Sequence, residues 1–139
     1  MTVLWGVHLA YAMGGQHVAA HETAQQCLAL AEKHEHPGIL ALAHRFMGQT
    51  LFFMGSFIEA RFHLERSLAL CAANQNAITS YRRFGADDQV TALSALARTL
   101  WILGFPEQAA ATSKRSLERA RSLGPVSYTH LTLPTNREV

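Results

Sequence analysis

Three stretches of this chain can be laid over one another: MGGQHVAAHETAQQCLAL at residues 13–30, MGSFIEARFHLERSLAL at 54–70 and LGFPEQAAATSKRSLERA at 103–120. In each, an apolar run ends at a glycine and a second segment of helical character begins a residue or two later. With Gly15, Gly55 and Gly104 taken as equivalent, the spacings are 40 and 49 residues, within or just above the periods of helical-hairpin solenoids. An internal repeat of this kind predicts an all-α fold, an α-solenoid of about three antiparallel helix-turn-helix units.

The periodicity inside the units supports helices. Ile39, Leu42, Ala43, Phe46, Met47, Thr50, Leu51 and Met54 follow the i, i+3, i+4, i+7 spacing of one helix face, and Phe57, Ala60, Leu64, Leu68 and Cys71 do so on the next. Ser56 and Glu59 read as a capping box that starts the second helix at Phe57, with Gly55 supplying the turn before it. Pro37 and Pro106 suit first helical turns, and Gly124 with Pro125 is a stop signal. These signals predict helices over 3–13, 17–34, 38–54, 57–73, 89–103 and 106–123. The one long connection, NQNAITSYRRFGADD at 74–88, explains the longer second spacing, and Asp87 or Asp88 is expected to cap the helix after it.

The far end of the chain reads differently. VSYTHLTLPT, residues 126–135, is encoded codon by codon by GTC TCT TAT ACA CAT CTG ACG CTG CCG ACG, a string resembling transposase-end adapter DNA. The expected division is therefore a helical-repeat domain at 1–124, itself a fragment of a longer array, and a non-native, artefactual tail at 125–139 that carries no functional weight. Met1 is read with the same suspicion, as an internal methionine or a chance start.

Composition narrows the function classes. Of 139 residues, 49% are hydrophobic and 16% charged, a soluble globular balance. The formal net charge is +2, and removing the tail takes away one basic and one acidic residue, Arg137 and Glu138. Neither nucleic acid nor membrane is an expected partner at so small a charge. No leader and no membrane span is expected, because Gly6 and His8 interrupt the apolar run near the start. Cys27 and Cys71, without any CxxC pairing, read as small buried hydrophobes in a reducing, cytoplasmic setting.

Eight histidines raise the question of a metal. His17 and His21 stand at i, i+4, but position 25 is Gln25, so no HExxH motif forms, and His34 and His36 flank Glu35 in a turn. No metal site, no cofactor and no catalytic residue is expected: four convergent ligands are lacking, and no serine sits in a GxSxG elbow. His17 is expected at the aromatic position of its turn. Phe46, Phe52, Phe53, Phe57, Phe62, Phe84 and Trp101 read as core or groove lining. Lys114, Arg115, Arg119 and Arg121 read as a solvated helix face, and Arg82 and Arg83, beside Tyr81 and Phe84, as a candidate loop contact or as ion-pair partners of Asp87 and Asp88.

Gly48, Leu51, Gly55, Phe57, Ala60 and Leu64 resemble the tetratricopeptide repeat, with its small residue in the first helix, glycine turn and alanine at the close contact in the second. Tyr11, Gly15, Ala20 and Leu28 match in the first unit, where His8 holds the small position; Ala97, Leu100, Gly104, Ala109 and Leu117 match in the third. The departures are longer helices, no tryptophan at its usual place, and serines at 113 and 116. More narrowly, TLFFMGSFIEARFHLERSLAL, YRRFGADDQV and LWILGFPEQA resemble the C-terminal array of bacterial regulators that also carry a nucleotide-cyclase domain and a predicted ATPase domain. Stacked hairpins expose a concave groove, so the expected function is a non-catalytic scaffold for protein-protein interaction that binds a peptide or domain through groove side chains placed by helix position alone, Tyr11, His44, Thr50 and Arg98. As an alternative the narrower resemblance implies a relay segment of a larger bacterial signalling ATPase or adenylate cyclase, whose upstream domain is then the partner. Neither domain's own motifs occur in this chain.

Overall fold

The computed structural model describes residues 2–74 and 88–123, Thr2 by its backbone alone. These form six helices: α1 (Thr2–Met13), α2 (His17–His34), α3 (Pro37–Phe53), α4 (Phe57–Ala73), α5 (Asp88–Leu103) and α6 (Pro106–Ser122). No strand occurs among the described residues. The boundaries fall within one residue of those read from the sequence because glycines and prolines set most of them. Pro37 and Pro106 open α3 and α6, where the missing N–H has no intrahelical acceptor to lose.

α1 with α2, α3 with α4 and α5 with α6 are joined by one turn design used three times. Gly15, Gly55 and Gly104 hold φ of 74°, 85° and 91°, the left-handed region that a β-carbon disfavours. Each glycine N–H donates to the carbonyl three residues back, and the next residue's N–H to the carbonyl five residues back: Gln16 to Tyr11, Ser56 to Leu51, Phe105 to Leu100, all at 2.9 Å. This is the Schellman pattern, which satisfies carbonyls that the helix end leaves open. The carbonyls of Gln16, Ser56 and Phe105 then accept from Ala20, Ala60 and Ala109 at 2.9–3.0 Å, and all three alanines are buried.

The expected capping box does not form. Ser56 is the N-cap of α4, but its side chain makes no capping hydrogen bond. Its backbone N–H, which Glu59 was to engage, is already given to Leu51. The turn that ends α3 therefore takes the amide that a capping box needs.

The two helices of a hairpin run antiparallel. A β-carbon placed on Gly48 of α3 meets Leu64 and the Ala60 carbonyl of α4, whereas the Ser67 hydroxyl, further along α4, donates to the Ala41 carbonyl earlier on α3, at 2.8 Å. Ser116 on α6 donates in the same way to the Val90 carbonyl on α5, at 3.2 Å. Ser67 and Ser116 each lie 11 residues after the N-cap of their helix, Ser56 and Phe105. Cys27 is the counterpart on α2, and it is buried.

Two apolar clusters hold the hairpins to one another. The first joins Ala24, Cys27 and Ala31 of α2 to Ala43, Phe46, Met47 and Leu51 of α3, with Leu4 and Trp5 of α1 packed against it. The second joins Leu64 and Leu68 of α4 to Ala92, Leu93, Leu96 and Leu100 of α5 and to Ala109 of α6. α3 touches α2, α4 and α5, and Phe46 and Thr50 meet α1, so α3 is buried on more than the single face expected. Met54, which caps the end of α3, and Phe62 depart from expectation in the other direction, both being exposed; Phe46 is core, and Phe53 and Trp101, though 55% and 67% exposed, line hollows.

Arg82, Arg83, Phe84, Asp87, the 125–139 tail and most of the 74–88 connection lie outside the described residues. Asp88 is the first residue of α5, and its carboxylate meets Arg45.

Candidate functional site

Arg45 stands in the middle of the apolar stretch LALAHRFMGQTLFF, and burial of α3 from several sides carries it inside. Its Nη2 lies 2.9 Å from Asp88 Oδ1 of α5, its Nη1 donates to Gln49 Oε1 at 2.9 Å, and its guanidinium carbon lies 5.0 Å from the Phe46 ring centre. Its Nε–H is buried without a hydrogen-bond partner. Burial pulls the Arg45 pKa down while Asp88 pushes it back up. A buried guanidinium held by one carboxylate, one amide and a ring remains charged.

Next to it, His8 of α1 is stacked on Phe46, with ring centres 4.6 Å apart, and its Nε2 is 2.8 Å from the Thr50 hydroxyl. Burial first, and Arg45 second, lower its pKa to about 4, so the imidazole is neutral at pH 7. On the other side of α3, His44 Nδ1 is 3.0 Å from His63 Nδ1 of α4. The pKa of His44 is also lowered to about 4, chiefly by burial and then by His63 and Arg66; that of His63 is lowered, again chiefly by burial. One imidazole donates and the other accepts, an arrangement that requires at least one of them to be neutral.

Between α1, the start of α2 and α3 lies a half-open cavity of about 350 Å³. Trp5, Leu9, Ala12 and Met13 wall it from α1; Phe46 and Phe53 wall it from α3; His8, Arg45, Gln49 and Thr50 supply its polar groups. His17 stacks flat on Phe53 at its edge, with ring centres 5.5 Å apart. A second, more open hollow of about 420 Å³ lies along α5 and α6, bounded by Phe52, Arg98, Trp101, Ile102 and Pro106 among others.

The four residues expected to line one groove occupy different places. Thr50 is buried beneath the first cavity, His44 is buried against α4, Tyr11 is half-buried on α1, and Arg98 is exposed on α5 with its guanidinium 5.4 Å from the Phe52 ring centre. The structure thus brings only Thr50 into the first cavity and only Arg98 into the second. His8, Arg45 and Gln49 were not anticipated as a group. One signal for them was in the sequence: an arginine inside an uncharged, strongly apolar helix costs too much to bury without a partner and a purpose.

Cys27 and Cys71 are buried free thiols, and burial raises the Cys27 pKa. Among the described residues no three of His, Cys, Asp and Glu are gathered as metal ligands, and no helix is long and apolar enough to cross a membrane. Comparison with protein-family models, with curated proteins and with solved structures finds no match for this chain.

Proposed function

We propose that this chain is a tetratricopeptide-like array of helical hairpins acting as a non-catalytic scaffold that binds a peptide or a protein domain. The observation that carries the reading is the three-fold use of one turn, in which a left-handed glycine, a doubly bonded helix end and a buried alanine recur at the same places. Hairpins built alike and packed side by side make an extended surface from their first helices, and such surfaces serve as binding faces in repeat proteins. Here the first helices α1, α3 and α5 carry half-buried Tyr11, exposed Phe53, Arg98 and Trp101, and aromatic and arginine side chains are those enriched where proteins recognise one another.

A displayed peptide library selected on the full chain tests the reading. Saturable peptides should emerge whose affinity falls about tenfold or more in a Tyr11→Ala, Arg98→Ala double variant, the loss typical of anchor residues. Peptides that bind that variant as well as the parent chain, or a selection that returns no saturable binder, would remove the first-helix surface as the binding face.

A further inference from the structure

The cavity between α1 and α3 has a chemical bias that a protein-binding face does not need. Among the described residues no aspartate or glutamate lines it. Half of its apolar wall residues are aromatic, and two pairs supply most of its polar groups. His8 and Thr50 bond each other. Arg45 and Gln49 do not satisfy everything they carry: the Arg45 Nε–H is buried without a partner, and because a guanidinium can only donate, Gln49 must face it with its oxygen, which leaves the two amide hydrogens for another acceptor. What Arg45 and Gln49 still offer is therefore donor, beside the guanidinium charge, while the remaining capacity of His8, Thr50 and His17 can serve either way. Asp88 meets that charge at Nη2 from α5 and is not among the cavity's lining.

We propose that this cavity is a binding site for a small apolar carboxylic acid, with its ring held among Trp5, Phe46 and Phe53 and its carboxylate accepting from Arg45 and Gln49. The volume of about 350 Å³ lies at the lower end of the range of ligand pockets, roughly 300–1,000 Å³, and suits a one- or two-ring acid. Charge-assisted hydrogen bonds are roughly twice as strong as neutral ones, so an anion should be favoured over its uncharged analogue. The proposal does not rest on the scaffold reading: a chain that binds no peptide would still pass or fail the following test.

The probe is naphthalene-2-carboxylate. In the full-length chain carrying Trp101→Phe, Trp5 is the one remaining tryptophan, and its fluorescence with calorimetric stoichiometry reads the cavity directly. One molecule should bind saturably per chain, with naphthalene-2-carboxamide about tenfold weaker or worse, as the loss of charge assistance implies. Gln49→Glu keeps the acceptor for Arg45 but places a carboxylate in the cavity, and should weaken the acid at least about tenfold. Ala12→Phe fills the space and should abolish binding. Circular dichroism melts establish that each variant is folded, and either folded variant decides the matter. The proposal is overturned if the acid does not saturate, if the carboxamide binds equally well, or if a folded variant binds the acid like its parent.

Discussion

Gly48 and Ala60 set how closely α3 and α4 approach. A β-carbon on Gly48 would come within 2.6 Å of Leu64 Cγ and 3.2 Å of the Ala60 carbonyl oxygen, and Leu64 is fully buried with little room to retreat. Gly→Ala inside an exposed helix ordinarily stabilises by about 1 kcal/mol; here the overlap should reverse the sign, so that Gly48→Ala lowers the denaturation midpoint. A raised midpoint would show that α4 yields more easily than its packing implies. Ala60→Leu should cost about 1–3 kcal/mol by overpacking at the same contact, and an unchanged midpoint there would break the equivalence of Ala60 with Ala20 and Ala109.

At the scale of the element, the turn decides more than the cap. Gly55→Ala, Gly15→Ala and Gly104→Ala should each cost about 1–2 kcal/mol, the usual penalty for a β-carbon in the left-handed region. Ser56→Ala should cost clearly less than the ~1 kcal/mol of a working serine cap, since the Ser56 side chain makes no capping bond. Equilibrium urea unfolding of these variants checks the ordering, and a Ser56→Ala loss as large as that of Gly55→Ala would restore the capping box. The helices themselves were legible because glycine and proline act through the local backbone, which any sequence displays. The cap was misread because Ser56 has two possible roles, and only the end of the preceding helix determines which amide remains free. Arg45 and its neighbours escaped for a different reason. A 3.6-residue pattern reports one buried face, whereas α3 is covered by several neighbours, and the carboxylate that pairs with Arg45 stands 43 residues away, at Asp88.

For the whole molecule, neutral imidazoles tie helix to helix: His8 joins α1 to α3 and the His44–His63 pair joins α3 to α4. In the unfolded chain these groups take up protons as pH falls through about 6.5, while His8 and His44 in the fold resist until about 4. The unfolded state thus binds more protons across that window, and stability must fall as pH falls from 6.5 towards 4. The urea midpoint should drop between pH 7 and pH 4.5, and the drop should be smaller in His8→Gln and His44→Gln than in the parent chain. A slope unchanged by both substitutions would assign the acid sensitivity to other groups.

The repeated turn also bears on how such a chain can change its length over evolutionary time. Every contact that defines a hairpin, from the Schellman bonds to the Ser67–Ala41 and Ser116–Val90 bonds, lies inside that hairpin. The nine residues by which the second spacing exceeds the first accordingly need not disturb any of them. Insertions and deletions between one hairpin and the next are neutral to the grammar of each, whereas a single residue gained or lost within a turn would shift the buried alanine and the serine rung off their partners together.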